Sequence, residues 1–226
     1  MSLRSTLVMR VVIGLPLVVA AIFLPARSFD RWQGWAFLCA FGVGPAILLS
    51  YFFRHDPQLL ERRLLRKERR PEQRLWARLW IPLWLGLFVL SGFDHRFGWS
   101  RTFLGGVPPW LSVLALGLIL CSWLLIFQVF RHNTFAAAVI QVEPGQKVVS
   151  DGPYRIVRHP MYSAIVLLVL SVPLALGSYF ALPLAVPLIG LLVFRLLNEE
   201  RVLLAELSGY PEYCQRTRFR LIPFAW

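Results

Sequence analysis

Long, almost uninterrupted apolar blocks dominate this chain, and polar residues collect between them. A helix that crosses a bilayer needs about 20 predominantly apolar residues. Six blocks approach that length. They are Leu7–Ala26, with Arg10 near its start; Trp32–Phe53; Trp80–Phe93, lengthened by Leu75–Leu79; Trp110–Phe130, without a formal charge; about Met161 to Leu176; and about Tyr179 to Leu197, with Arg195 in its last turn. Gly177-Ser178 breaks the last two sharply, so they form a short antiparallel hairpin or a pair of re-entrant helices. The pattern predicts an all-α, polytopic membrane helical bundle of about six apolar spans. Residues 1–130 are its membrane-anchoring helices, with a basic interfacial loop at 54–79, and residues 131–226 hold the chemistry.

Composition strengthens this picture. Of 226 residues, 57% are hydrophobic and 16% charged, whereas soluble domains hold about 45–50% apolar and about 25% charged residues. The mean hydropathy is +0.60. A water-soluble fold of this size cannot hide so much apolar side chain, and the same numbers exclude disorder.

Charge sets the expected orientation. The net charge is +12, from 24 Lys+Arg against 12 Asp+Glu. The basic residues flank apolar blocks, which favours anionic lipid headgroups as partners and argues against nucleic acid. With six spans, 20 of the 24 fall on one side, and only Arg27, Arg31, Arg96 and Arg101 fall on the other. The positive-inside rule then puts both termini in the cytoplasm, as in a bacterial inner-membrane protein. A signal peptide is the alternative for the first block, but Pro25-Ala26-Arg27 offers no small-x-small cleavage site. Cys39, Cys121 and Cys214 form no CxxC and no Cys/His ligand spacing, so neither a disulfide framework nor a metal site is expected. In the loop 54–79, leucines alternate with arginines at roughly helical spacing. It reads as an interfacial helix or as a solvated connector, and in neither case as catalytic.

The chemistry concentrates in two blocks, Asn133–Ala164 and Phe194–Trp226, with only the apolar hairpin between them. In the first, Asp151-Gly152-Pro153 is a turn signal, and Pro160 suits the first turn of a helix. Arg158 and His159 then sit at a helix N-terminus, where an anion is favoured. Tyr162 shares a face with His159. An interfacial helix start facing headgroups accounts for the same residues. In the second block, Arg195 and Glu199 are spaced i, i+4 on one helix, and Glu200 and Glu206 follow. An arginine beside hydrocarbon points to function, and a plain ion pair closing the helix is the alternative.

Together, GPYRIVRHPMYSA, the apolar hairpin, R-x-x-x-E-E, G-Y-x-x-Y and R-x-I-P-x-x-W resemble the isoprenylcysteine carboxyl methyltransferase family, which is related to phospholipid N-methyltransferases. The likeness spans about Asn133–Trp226. It implies S-adenosyl-L-methionine as cofactor, held in a cytosolic pocket closed by the C-terminal segments. No G-x-G-x-x-G after a strand pattern competes with this reading. The resemblance implies that Gln141, Gln146, Val148, Val149, Tyr154, Arg158, His159, Pro160, Tyr162, Glu199 and Tyr213 bind the cofactor. Arg195 and Glu199 would be catalytic, and Tyr210 would join Tyr213 in the lid. Gln146 stands where the family often has His, and Ala164 where it often has Gly. The acceptor would be lipophilic or small, a carboxylate, amine or thiol, with membrane lipids as partners and no metal. An amine or thiol must lose a proton, for which Glu199 or Tyr213 is available. Two rivals are an NADPH-dependent membrane reductase of the sterol reductase type and a non-enzymatic membrane protein.

Overall fold

The computed structural model describes residues 3–64, 71–135 and 145–226. Helices α1 (Leu3–Ala26) and α2 (Trp32–His55) run antiparallel, and the short α3 (Pro57–Leu64) follows. Next come α4 (Pro71–Phe97), the short α5 (Trp99–Leu104) and α6 (Pro109–His132). A 3-10 turn at Gly152–Arg155 precedes α7 (Pro160–Ala175), and a second at Leu182–Leu184 precedes α8 (Ala185–Glu206). α9 (Tyr210–Arg216) leads into a C-terminal tail. Among the described residues there is no strand.

Four helices are long and apolar enough to cross a membrane: Ser5–Ala26, Trp32–His55, Pro109–His132 and Leu182–Glu206. Val8, Val12, Leu24, Leu124 and Val186 leave their side chains exposed on these helices. These features are consistent with an integral membrane protein, because such faces suit lipid and would be a liability in water. α4 has 27 residues but carries charge at both ends, and α7 has only 16. At 1.5 Å per residue, α7 is about 24 Å long, less than a typical hydrocarbon core.

Hydrophobic transfer does little to hold helices together inside lipid, so close packing and polar contacts matter more. α6 and α7 share the most extensive contact, followed by α1 with α4 and α2 with α6. Ile22, Phe37, Leu87, Phe88, Ile119, Val172 and Leu188 meet in one buried cluster. Two glycines let backbones approach. A Cβ at Gly44 would collide with the Trp123 ring, and one at Gly92 would lie 2.9 Å from the Ile22 carbonyl oxygen.

A polar knot closes the end of the bundle where α4, α5 and the α7–α8 turn meet. Asp94, 2% exposed, accepts from the Ser100 N–H (2.7 Å), the Ser100 hydroxyl and the Ser178 hydroxyl (2.5 Å). The two serines pass the pattern on: Ser100 Oγ accepts from the Tyr179 N–H and Ser178 Oγ from the Ala181 N–H. Arg31 donates to the Ser91 carbonyl at 3.0 Å. Burial draws its guanidinium down to about 10, and Asp94 opposes that shift. The knot displaces the expected start of the last long helix. The chain turns through a 3-10 segment over Leu182–Leu184, and α8 begins at Ala185 instead of near Tyr179. Removing Asp94 orphans three buried donors. Asp94→Ala should lower the unfolding free energy in detergent by at least about 2 kcal/mol, given about 1–3 kcal/mol per unsatisfied group. Asp94→Asn, which keeps an acceptor oxygen, should lose less. A loss below about 0.5 kcal/mol for the alanine variant, typical of neutral surface changes, would show that the knot is decorative.

Candidate active site

At the opposite end, the region from Asp151 to the start of α7 is fastened from three sides. The Asp151-Gly152-Pro153 signal becomes the 3-10 turn, with Gly152 at φ 53°. From the end of α6, Asn133 Nδ2 donates to the Tyr154 hydroxyl at 2.9 Å. From α9, the Tyr213 hydroxyl donates to the Tyr154 carbonyl at 2.8 Å, and Thr217 Oγ1 does so at 3.4 Å. The tail crosses the RHP element with main-chain bonds. The N–H groups of Arg158 and His159 donate to the carbonyls of Phe219 (2.8 Å) and Arg220 (3.0 Å). Ser163 Oγ donates to the Leu221 carbonyl at 2.6 Å.

Glu200 is the charged centre of this region. It is 5% exposed. Arg158 Nε and His159 Nε2 lie 2.7 Å and 3.3 Å from its Oε1, and Arg220 Nε lies 2.7 Å from its Oε2. The expectation that Arg158 and His159 face an anion is met by a protein carboxylate from α8, which sequence spacing did not single out. The Glu-Glu doublet was visible, but its three partners lie 20 to 42 positions away. Nothing local marks Arg220 as a partner.

Arg195 and Glu199 do share a face of α8, with Tyr162 of α7 between them. Arg195 Nε donates to the Tyr162 hydroxyl at 3.2 Å, and that hydroxyl donates to Glu199 Oε2 at 2.5 Å. The Arg195 guanidinium also lies 4.5 Å above the Trp76 ring.

These elements surround a cleft of about 840 Å³, its open mouth included. The described residues on its wall include Gln146, Val148, Val149, Tyr154, Arg158, His159, Pro160, Tyr162, Glu199, Tyr210 and Tyr213. Arg195 is not on that wall, and is reached from it through Tyr162. Gln141 lies outside the described residues. Asn133, Phe135, Lys147, Met161, Val202, Leu203 and Leu207 complete the lining. Lys147 falls within the stretch Gln146–Val149 expected to line the cofactor site; the sequence does not mark the other six, and only the i, i+3, i+4 spacing of Glu199, Val202 and Leu203 hints at a shared face. Burial pushes the Tyr154 phenol up to about 12 and raises those of Tyr210 and Tyr213 as well. All three therefore stay protonated at neutral pH. Tyr213, committed as a donor to the Tyr154 carbonyl, is not placed to act as a base. The Tyr210 hydroxyl is buried without a conventional hydrogen-bond partner, so it is a donor that a cleft ligand can use.

Residues 110–209 match the family model for phospholipid methyltransferase. The match runs from α6 through the RHP element, α7 and α8, which supply most of the cleft wall. That family is related to the isoprenylcysteine carboxyl methyltransferases. The resemblance carried by the RHP and R-x-x-x-E-E elements is thus shown at the level of this related group, and the chain is similar to membrane methyltransferases where it builds its cleft. No curated protein matches the chain significantly.

The Glu200 cluster makes a direct prediction. Removing one member of a buried ionic group typically destabilises by about 3–5 kcal/mol, because the remaining charges lose their partner. Glu200→Ala should show a loss of that size in detergent unfolding. Arg220, whose side chain is 34% exposed, is partly screened by water, so Arg220→Ala should lose no more than about 1 kcal/mol. Equal losses from the two variants would deny Glu200 its central place.

Proposed function

We propose that the chain is an integral membrane methyltransferase that uses S-adenosyl-L-methionine to methylate a lipophilic or small acceptor. Its cleft would face the cytoplasm from a bacterial inner membrane. The observation that carries this reading is the cleft itself, built mainly by the segment that matches the methyltransferase family model. The wall chemistry suits the cofactor. Tyrosines and aliphatic side chains offer surfaces for an adenine ring, Glu199 suits a cationic group, and the Tyr210 hydroxyl is an unused donor. The family match does not favour the reductase alternative. For topology we propose six spans, with α1, α2, α4, α6, α7 and α8 alternating in direction. The cleft then shares its end of the bundle with 20 of the 24 basic residues, which supports a cytoplasmic site by the positive-inside rule.

When bound, the cofactor supplies a methyl group already activated on a sulfonium, so the protein mainly positions, dries and deprotonates. Val148, Val149, Val202 and Leu203 give the cleft apolar walls that exclude water. Transfer to a carboxylate leaves no proton to place, because that acceptor is already ionised at neutral pH. An amine or thiol acceptor releases one proton, which Glu199, the carboxylate on the wall, would take. Tyr162 orients Glu199, and Arg195 orients Tyr162. Arg195 thus acts as a positioning residue through the tyrosine.

Two measurements test the activity. Isothermal titration of the purified chain should show binding of S-adenosyl-L-methionine and none of NADPH, and the reverse would restore the reductase. A radiolabelled methyl-transfer assay against fractionated host lipids and small thiols then supplies turnover for variants. Tyr162→Phe breaks the relay from Arg195 to Glu199 while preserving the ring. It should lower turnover at least roughly tenfold, about 1.4 kcal/mol of transition-state stabilisation, with cofactor affinity nearly unchanged. Arg195→Lys should behave alike, because an ammonium lacks the directed fork of a guanidinium. Normal turnover in both variants would make the relay purely structural.

Topology has its own check. In a cysteine-free background, an impermeant reagent applied from outside should label Thr102→Cys and miss Asp151→Cys. The opposite pattern would move the cleft to the other face.

A further inference from the structure

The tip of the tail, Ile222–Trp226, takes no part in the steps above. It is a closed turn. The Ala225 N–H donates to the Ile222 carbonyl at 3.1 Å, with Pro223 and Phe224 forming the bend between them. The N–H groups of Leu221 and Ile222 both donate to a main-chain oxygen of Trp226, at 2.8 and 2.9 Å. Phe224 has φ 64°. A turn with proline second and a positive φ third normally carries Gly or Asn at that third place, because a Cβ is strained there. Here a phenylalanine holds it and is 90% exposed. Its ring meets that of Phe219, 5.5 Å away between centroids, and little else covers it. The chain thus bears backbone strain to hold an aromatic ring off its own surface, and strain of this kind points to a function.

Leu221 sets the depth of this tip. It is buried and packs with Tyr162, Leu192 and Leu196. Tyr162 lies in the first turn of α7, and the two leucines lie inside Leu182–Glu206, a helix long and apolar enough to cross a membrane. The bond from Ser163 to the Leu221 carbonyl fixes the same level. The tail therefore meets the flank of the bundle, where α8 also leaves Phe194 and Leu197 exposed. Ile222 and Trp226 add partly exposed apolar surface beside Phe224. Arg216 and Arg218 are exposed just before the tip, and the Arg220 guanidinium lies 5.3 Å from the centre of the Trp226 ring. Apolar side chains with a tryptophan and flanking arginines suit the boundary between acyl chains and headgroups, the rings below and the cations at phosphate level.

We propose that Ile222–Trp226 is an interfacial anchor, inserted into the lipid leaflet that borders the cleft, and that its insertion holds the tail across the RHP element. The partner of this surface is the bilayer itself. The coupling is short. Phe219 and Arg220, whose carbonyls take the N–H groups of Arg158 and His159, directly precede Leu221, and Arg220 also pairs with Glu200. The anchor requires no particular methyl acceptor.

The test uses the full chain in nanodiscs that hold one copy each. In a cysteine-free background, a fluorophore on Phe224→Cys should be quenched by doxyl groups placed high on the lipid acyl chains. One on Glu212→Cys, an exposed residue of α9, should not be. Ile222→Cys is a second site should a label on Phe224→Cys perturb the turn. Amide hydrogen exchange then reads the tail. Phe224→Asp should speed exchange of the Arg158 and His159 amides at least roughly tenfold, because local opening becomes easier, and leave the α6 amides unchanged. Phe224→Trp, which keeps an interfacial ring, should retain wild-type protection. Labels on Phe224→Cys and Ile222→Cys that both escape the lipid quencher would overturn the anchor, as would unchanged exchange in Phe224→Asp. Shielding of the Phe224→Cys label that needs two copies per disc would overturn it too, and would assign the surface to a second copy of the chain.

Discussion

A single buried carboxylate organises the functional end of this protein. Glu200 joins α8 to the start of α7 through Arg158 and His159, and to the C-terminal tail through Arg220. An isolated carboxylate with so little exposure would be strongly disfavoured, and so would the Arg158 guanidinium beneath the tail. Each is tolerable only because the others are present. The arrangement therefore constrains three segments of chain at once: α8, the RHP element and the tail. The main-chain bonds from Arg158 and His159 to Phe219 and Arg220 run alongside it, so charge and backbone fasten the same junction. This junction engages Arg158 and His159 with Glu200, so Glu199 and Tyr210 are polar groups of the cleft wall that stand outside it.

The neighbouring carboxylate does different work. Successive side chains on an α-helix point about 100° apart, so Glu199 and Glu200 cannot face the same surface. One turns to the ion cluster and the other to the cleft wall. This division separates a stabilising charge from an available one within two residues, and it lets the cleft wall keep a carboxylate without disturbing the scaffold.

The legible part of the sequence was the part governed by local rules. Long apolar blocks have essentially one solution in lipid, the helix, so the first five blocks lie close to observed helices, whereas the sixth, expected over Tyr179–Leu197, is displaced to Ala185–Glu206. Pro160 at the first turn of α7 and the Asp151-Gly152-Pro153 turn were likewise local. What escaped was long-range. The start of α8 moved because Ser178, 84 positions from Asp94, enters the same polar knot, and no spacing rule reports such a pairing. The i, i+4 rule linked Arg195 to Glu199 but did not reveal that Tyr162 stands between them. Glu200 is visible in the R-x-x-x-E-E element, but its role is not, because its partners come from the other side of the apolar hairpin and from the tail. The alternation of leucine and arginine left the 54–79 loop open between an interfacial helix and a solvated connector. Only the packing of Leu59 and Leu60 reveals which face of α3 turns inward.

The Asp94 knot also bears on how the molecule can move. It grips the turn between α7 and α8 at one end of the bundle, while Glu200 grips their other ends. A hairpin clamped at both extremities has little freedom to tilt or slide, so it behaves as a fixed jamb. Traffic through the cleft then falls to α9 and the tail, which are held along one edge by bonds from Tyr213, Thr217, Phe219, Arg220 and Leu221. Parting these bonds also strips Glu200 of Arg220, so an opening at this edge would loosen the ion cluster before it moved the helices.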